Sequence, residues 1–345
     1  MSIRRLIGLL IIIGILILIL TSYLYYIWYA KNTLNAPEGE KVELYIPTGI
    51  SLQEFYSLLY DSDIIINQDD IELFTIIKKI KKVKSGRYIL ESPMTCNEVI
   101  NTFKGGLQTP IRVAITPSRL PADLAQKLAN KLELDSSTIH QALISDSIAA
   151  IYGFDSADLY TMFIPDTYEL YWNSSIESLF KRMKREYDSF WNASRKKKAS
   201  DIDLTPREVL VLASIVYAEQ SQFADERPII AGLYLNRLQI GMLLQSDPTL
   251  IYGLGDFSRK RVLNADKQVD SPYNTYKYAG LPPGPIYSPD KSSIEAVLNA
   301  DDNKYLYMCA KADFSGYHAF ATNLRQHNNN ARKYQLALNT ARIYH

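Results

Sequence analysis

The segment VLASIVYAEQ, residues 211–220, ends a long apolar run on a single acid, Glu219. At helical spacing Leu212, Ile215 and Val216 share a face with position 219, because steps of three, four and seven residues bring the chain round. The acid therefore continues an apolar stripe. A carboxyl group on such a stripe loses hydration, its pKa rises, and it keeps a proton near neutral pH. A protonated carboxyl in a cleft wall can act as a general acid. A helix end emerging into water is the plain structural alternative, and periodicity alone leaves both readings open.

The elements that must position this acid can be read around it. TPRE at Thr205–Glu208 is a capping box with Pro at the first helical position, and it starts the helix that carries VLVLASIVYAE. Beyond a second helix come turn-rich, aromatic segments: QSDPTLIYGLG, SPYNTYKYAGLPPGP and YLYMCAKADFSGYHAFATN. The last reads as a β-hairpin of strands YLYMCA and YHAFAT around Ser315-Gly316. A capped helix facing loops on a rigid scaffold suits a cleft.

Composition narrows the function classes. The 38 Lys+Arg and 37 Asp+Glu nearly cancel, so no global field points toward nucleic acid. Cys96 and Cys309 fit no metal spacing, and nothing indicates that they pair. His140, His318, His327 and His345 are too scattered for a metal-site signature. From Leu6 to Ala30 there is no charge. Such a run of about 25 residues would cross a bilayer core as one helix. Arg4 and Arg5 precede it, and Tyr23, Tyr25, Tyr26, Trp28 and Tyr29 cluster at its far end. This pattern places the N-terminus in the cytoplasm and the remainder outside.

The chain thus divides into a cytoplasmic N-terminus (1–5), a transmembrane anchor (6–30), a small α+β module (41–107), a mostly helical connecting part (108–204) and a mixed α+β core (205–345). In the module KVELYIP and GRYIL read as strands. SLQE and TCNE are capping boxes opening helices, and a further helix is expected over Asp70–Lys82. By size and order the module resembles the LysM-like modules that bind cell-wall glycan.

The ordered series of motifs resembles the YceG-like (MltG) family of endolytic murein transglycosylases. It comprises the anchor, GRYIL, FIPDTYELYW, LASIVYAE, NRL, GMLLQSDPT, IYGLG, SPYNTY, GLPPGPI and HAFATNLRQHN. The resemblance implies a lyase that cuts nascent glycan strands between MurNAc and GlcNAc. The product end is a 1,6-anhydroMurNAc, and neither metal nor organic cofactor is needed. It further implies a role in ending glycan elongation, peptidoglycan synthases as partners, and a cell-membrane location with the catalytic domain outside. Glu219 takes the place of the catalytic acid. Where the family commonly has a second acid two residues earlier, this chain has Tyr217, and at Thr116–Leu120 it lacks the usual Glu-Gly turn. Gln245, Ser246 and Asp247 hydrogen-bond glycan, hold Glu219 in its rotamer, or set the turn before Pro248. Tyr252, Tyr273 and Tyr276 either stack on sugars or pack under loops. Asn274 and Thr275 are the preferred contacts for the reacting sugars. His318 either contacts substrate or is a hairpin histidine satisfied by backbone, the second reading being preferred, and Asp166 reads as a turn or interdomain residue rather than a second catalytic acid. The competing class is a non-catalytic, membrane-anchored peptidoglycan-binding protein.

Overall fold

The computed structural model describes residues 3–259 and 262–341, so His345 lies outside the described residues. The uncharged run forms one helix, α1 (Ile3–Tyr29), about 40 Å long at 1.5 Å per residue. Its most apolar window has a mean hydropathy of 2.8, and the helix is long and apolar enough to cross a membrane. Most of it is exposed. Its last turn is not, since Ile27 and Trp28 are buried in the core of the unit that follows.

That unit contains β1 (Lys41–Ile46), α2 (Leu52–Ser62), α3 (Gln68–Ile77), β2 (Gly86–Glu91) and α4 (Cys96–Gly105). β1 and β2 pair antiparallel, with Lys41 opposite Glu91 and Ile46 opposite Gly86. Reciprocal capping boxes form at Ser51/Glu54 and Thr95/Glu98, satisfying N–H groups that have no intrahelical partner. Phe55, Ile71, Phe74, Tyr88, Val99 and Phe103 fill the core. The helix expected over Asp70–Lys82 stops at Ile77. Lys79 turns into the left-handed region (φ 51°) and the Ile80 N–H bonds back to the Thr75 carbonyl. This Schellman-type end lets Ile80 reach the core instead of continuing a lysine-rich helix into water.

β3 (Ile111–Ile115) pairs with β4 (Asp166–Leu170), and between them lie α5 (Pro121–Ala129), α6 (Ser136–Leu143) and α7 (Asp146–Tyr152). The chain divides into two compact units. One is Met1–Val113 with Lys131–Leu134 and Glu169–Ser175, and the other is Ala114–Asn130, Asp135–Tyr168 and Ile176–His345. The 108–204 stretch is therefore shared between them.

The second unit continues with α8 (Ile176–Phe190), α9 (Ala193–Asp201), α10 (Pro206–Glu219), α11 (Arg227–Gln239), α12 (Asp247–Leu254) and α13 (Lys291–Leu298). It ends in β5 (Tyr307–Ala310), β6 (His318–Ala321) and α14 (Leu324–Thr340). TPRE caps α10 from both sides, with Pro206 in its first turn. Every residue of α10 from Val209 to Val216 is buried, so this helix is enclosed on all sides and not only along one stripe. Each fully buried Val, Leu or Ile stabilises by about 1.5–3 kcal/mol. The one hydroxyl among them, Ser214, donates to the Val211 carbonyl at 2.7 Å and accepts from the Ile286 N–H at 3.0 Å. The hairpin forms as antiparallel β5–β6, with Tyr307 opposite Ala321 and Ala310 opposite His318.

Candidate active site

α10 is a rigid post buried along its middle, and Glu219 is its last helical residue. The carboxyl group stands in the wall of a cavity of about 240 Å³, which Tyr234, Arg237, Gln245, Asp247, Tyr276 and His318 also line. Tyr234 on α11 donates its hydroxyl to Glu219 Oε1 at 2.7 Å, and Ser246 Oγ donates to the same oxygen at 2.5 Å. Among the described residues no hydrogen bond falls on Oε2. Burial pushes the pKa of Glu219 up, and nearby Asp247 adds to the rise. The two hydroxyls and the charge of His318 work against that rise but do not cancel it. The helix C-terminus also disfavours a negative charge. With Oε1 held as a double acceptor, Oε2 is the oxygen on which a proton would sit.

The loop opposite is fixed by burying its polar groups. Gln245 adopts φ 51°, unusual for a residue with a side chain, and its N–H bonds to the Thr275 carbonyl at 3.0 Å. This bend buries Ser246 between the exposed Gln245 and Asp247. The Ser246 N–H bonds to Thr275 Oγ1 at 3.0 Å, and Thr249 Oγ1 lies 2.8 Å from that same hydroxyl. Ser246 is thereby aimed at Glu219. Tyr276 donates to Asp247 Oδ1, and burial together with this acceptor pushes the Tyr276 pKa far up.

The third wall is the β5–β6 hairpin, tied to the residues just past the acid. Glu226 is buried and accepts the His318 N–H at 2.7 Å and the Gln220 side-chain amide at 2.8 Å. Its Oε2 also lies 2.8 Å from His318 Nδ1. Since that oxygen is already an acceptor, Nδ1 carries the hydrogen and Nε2 is the remaining ring nitrogen. Gln220 further donates to the Gly316 carbonyl at 3.0 Å. Arg227 secures the same segment, donating to the Gln220 and Ser221 carbonyls and pairing with Asp290 at 3.0 Å. Arg237 donates to the carbonyls of Leu306, Leu243 and Leu244, so it joins hairpin and loop across the floor.

Of the residues expected at the site, Glu219, Gln245, Asp247 and Tyr276 meet at one cavity. The others do not line it. Asn274 is fully buried, its amide donating to the Lys267 and Val269 carbonyls, and Thr275 is buried beneath Gln245. These two, preferred above as sugar contacts, hold the loop from inside. Tyr252 and Tyr273 pack on each other with ring centroids 4.7 Å apart, against the core. Asp166 pairs with Lys291 on α13. The expectation that backbone satisfies His318 does not hold: its N–H and its Nδ1 both meet the Glu226 carboxylate, and the residue lines the cavity. The residues that sequence reasoning missed are Tyr234 and Arg237. Both stand in LYLNRL, where a polar tip at helical spacing from apolar neighbours was the available signal. Tyr217 does not share the cavity. It packs on Tyr287 (5.4 Å, T-shaped) with the Arg227 guanidinium over its ring. Two helical steps turn it about 200° from Glu219. Among the described residues no group of three or more His, Cys, Asp or Glu side chains is placed to hold a metal ion.

The sequence pattern of the YceG-like family matches residues 44–333. An endolytic murein transglycosylase of Bacillus subtilis is 28% identical, over 89% of this chain and 89% of its own length. An endolytic murein transglycosylase of Streptococcus pneumoniae is also 28% identical, over 87% of this chain, which spans 60% of that protein. A crystal structure of a YceG-like protein from Listeria monocytogenes superposes with a TM-score of 0.55 at 26% identity. The match covers 84% of this chain and 98% of that one.

Proposed function

Since the chain belongs to the YceG-like family, we propose that it is an endolytic peptidoglycan lytic transglycosylase with Glu219 as its single acid–base residue. The observation that best supports this role is the asymmetry of that carboxyl group. Oε1 is held by Tyr234 and Ser246, which leaves Oε2 as the oxygen to carry the proton in a residue that lines the cavity. Oε2 gives its proton to the glycosidic oxygen as the bond from the MurNAc anomeric carbon breaks. The resulting carboxylate then takes the proton of the MurNAc 6-hydroxyl, whose oxygen forms the new bond to that carbon. No water enters, and the strand ends in 1,6-anhydroMurNAc. Gln245, Asp247 and Tyr276 bind sugar at the cavity edge, and Asn274, Thr275, Tyr252 and Tyr273 support the loops. α1 anchors the protein in the cell membrane with its N-terminus in the cytoplasm. The β1–α2–α3–β2 unit serves as a LysM-like glycan contact, on nascent strands supplied by peptidoglycan synthases.

Glu219→Gln keeps the shape and removes the proton. Full-length protein in detergent, incubated with peptidoglycan, should lose release of anhydro-ended fragments on this change. Undiminished release would sink the assignment of Glu219. A second reading has one observation behind it, namely that Asp247 shares the cavity and could activate water as in a two-carboxylate glycosidase. Products heavier by one water would establish that reading. Binding to murein with no product at all would instead indicate the non-catalytic alternative, against which the held Glu219, its pKa raised by burial, argues.

A further inference from the structure

α3 presents a face that the first unit's core does not use. Leu73, Ile76 and Ile77 are 42%, 69% and 51% exposed, while Ile71 and Phe74 on the other side are buried. Immediately after the helix comes KKIKKVK, with lysines at 78, 79, 81, 82 and 84. Lys79, Lys81 and Lys82 are exposed and form no ion pair among the described residues. The acids of α3, Asp69, Asp70 and Glu72, lie in its N-terminal half.

The direction of α3 relative to α1 follows from their contacts. Asp70, near its start, interacts with the charge of Lys31, beyond the end of α1. One turn on, Phe74 packs on Trp28 and Tyr29, with ring centroids 5.0 and 6.1 Å apart. One turn further, Lys78 Nζ sits 5.8 Å from the Tyr29 ring, which itself stacks on Tyr25 at 5.3 Å. From Ile66, bonded to the Thr33 carbonyl, through Asp70 and Lys31 to Phe74 and Trp28, the partners step back toward the N-terminus of α1. The two helices thus run antiparallel, and the C-terminal end of α3 points toward the bilayer that α1 would span. A bilayer core takes about 20 residues of helix. The last turn of the uncharged run, with Trp28 and Tyr29, therefore stands at headgroup depth. Leu24 already packs against the unit's core, so the unit begins at that depth.

We propose that the C-terminal half of α3 and the lysine run after it form a second membrane contact, one that inserts Ile76 and Ile77 into the interface of an anionic bilayer. Lys79, Lys81 and Lys82 meet the lipid phosphates there, and the acids stay on the far side. Apolar side chains at the helix end and adjacent lysines are the two terms that hold interfacial helices on anionic lipid. The contact rests on the reading of α1 as the anchor. It fixes the tilt of the first unit on the surface, which one spanning helix would leave free.

The test uses the full chain reconstituted in vesicles of phosphatidylcholine and phosphatidylglycerol that contain nitroxide-labelled lipid. Single cysteines carry a fluorophore at position 16, 60 or 77 in a Cys309→Ser background, with buried Cys96 left in place. Position 60 is on α2, whose end is tied to Asn35 beyond the anchor. Lipid quenching at 77 should exceed that at 60 about threefold, as for a side chain at interfacial depth. It should fall toward the value at 60 with Lys79→Glu/Lys81→Glu or in phosphatidylcholine alone. Equal quenching at 77 and 60, with strong quenching at 16, overturns this contact and leaves the anchor standing. Absence of quenching at 16 overturns the anchor itself. Shielding of 77 from an aqueous quencher without lipid quenching would mean that protein covers the face, which also overturns the proposal.

Discussion

Tyr234→Phe removes one of the two hydroxyls on Glu219 Oε1 and leaves a ring that still fills its buried place. A hydrogen bond to an ionised acceptor is worth about 1.5–3 kcal/mol, against about 0.5–1.5 kcal/mol to a neutral one. The hydroxyl therefore favours the carboxylate over the acid by roughly 1 kcal/mol, the difference between those two ranges. At about 1.4 kcal/mol per pH unit, its loss should raise the titration of Glu219 by somewhat under one unit. On the proposed role of Glu219 as the acid it must be protonated to act, so activity should decline as pH rises through its pKa. The alkaline limb of the kcat/KM profile should then move to higher pH in Tyr234→Phe, and in the same direction in Ser246→Ala. The assay is release of anhydro-ended fragments from peptidoglycan across a pH series, read by mass spectrometry, with a thermal melt as folding control. An alkaline limb that stays in place or moves to lower pH in a folded variant would refute the argument. Either Glu219 would not be the titrating group, or the hydroxyl would not be bonded to it.

Two further outcomes follow from the same geometry. The pKa of Glu219 is raised in the folded state, so the folded protein holds this proton more tightly than the unfolded chain. The associated stability is complete below the ordinary carboxylate pKa and is lost as pH rises through the folded value. Glu219→Gln, which cannot ionise, should thus be about 1 kcal/mol more stable than the parent at alkaline pH. That gain should narrow on acidification, as followed by melting temperature; a gain that does not depend on pH would contradict it. Gly232→Ala on α11 would bring a Cβ within 2.3 Å of the Asp301 carbonyl oxygen and 2.6 Å of Asn303 Nδ2. Despite Ala's better helix propensity it should cost about 1–3 kcal/mol in urea denaturation, because backbone must move. An unchanged midpoint would show that this approach is not close.

Local signals carried much of the fold. Ser51/Glu54, Thr95/Glu98 and Thr205/Glu208 are reciprocal caps whose partners lie three residues apart, so adjacent chemistry specifies them. The helix expected over Asp70–Lys82 runs too far because Ile80 and Val83 keep an apolar rhythm past the left-handed Lys79, beyond the end of α3. The site was legible at Glu219 and at the turn around Asp247, where a polar group interrupts an apolar run. It was not legible where a polar side chain turns inward. Asn274 and Thr275 look like solvent-facing loop residues, yet their partners are the Lys267 and Val269 carbonyls and the backbone of Gln245 and Ser246, supplied by tertiary folding. The link between His318 and Glu226 spans 92 residues, and no spacing rule reaches that far. Tyr217, the departure from family pattern that looked most disruptive, stands on the opposite side of α10 among Tyr287 and Arg227.

The burial of Ile27 and Trp28 has a mechanical consequence. An anchor joined to its cargo by flexible linker acts as a leash, letting the cargo sample a volume that grows with linker length. Here the last turn of the apolar helix α1 is part of the first unit's own core, and the Thr33 N–H is already bonded to the Met94 carbonyl at 2.8 Å. The first unit is mounted on α1 as on a stiff stem. On the proposed anchoring it would search two dimensions as the helix diffuses, at a height above the bilayer set by the length of an apolar helix.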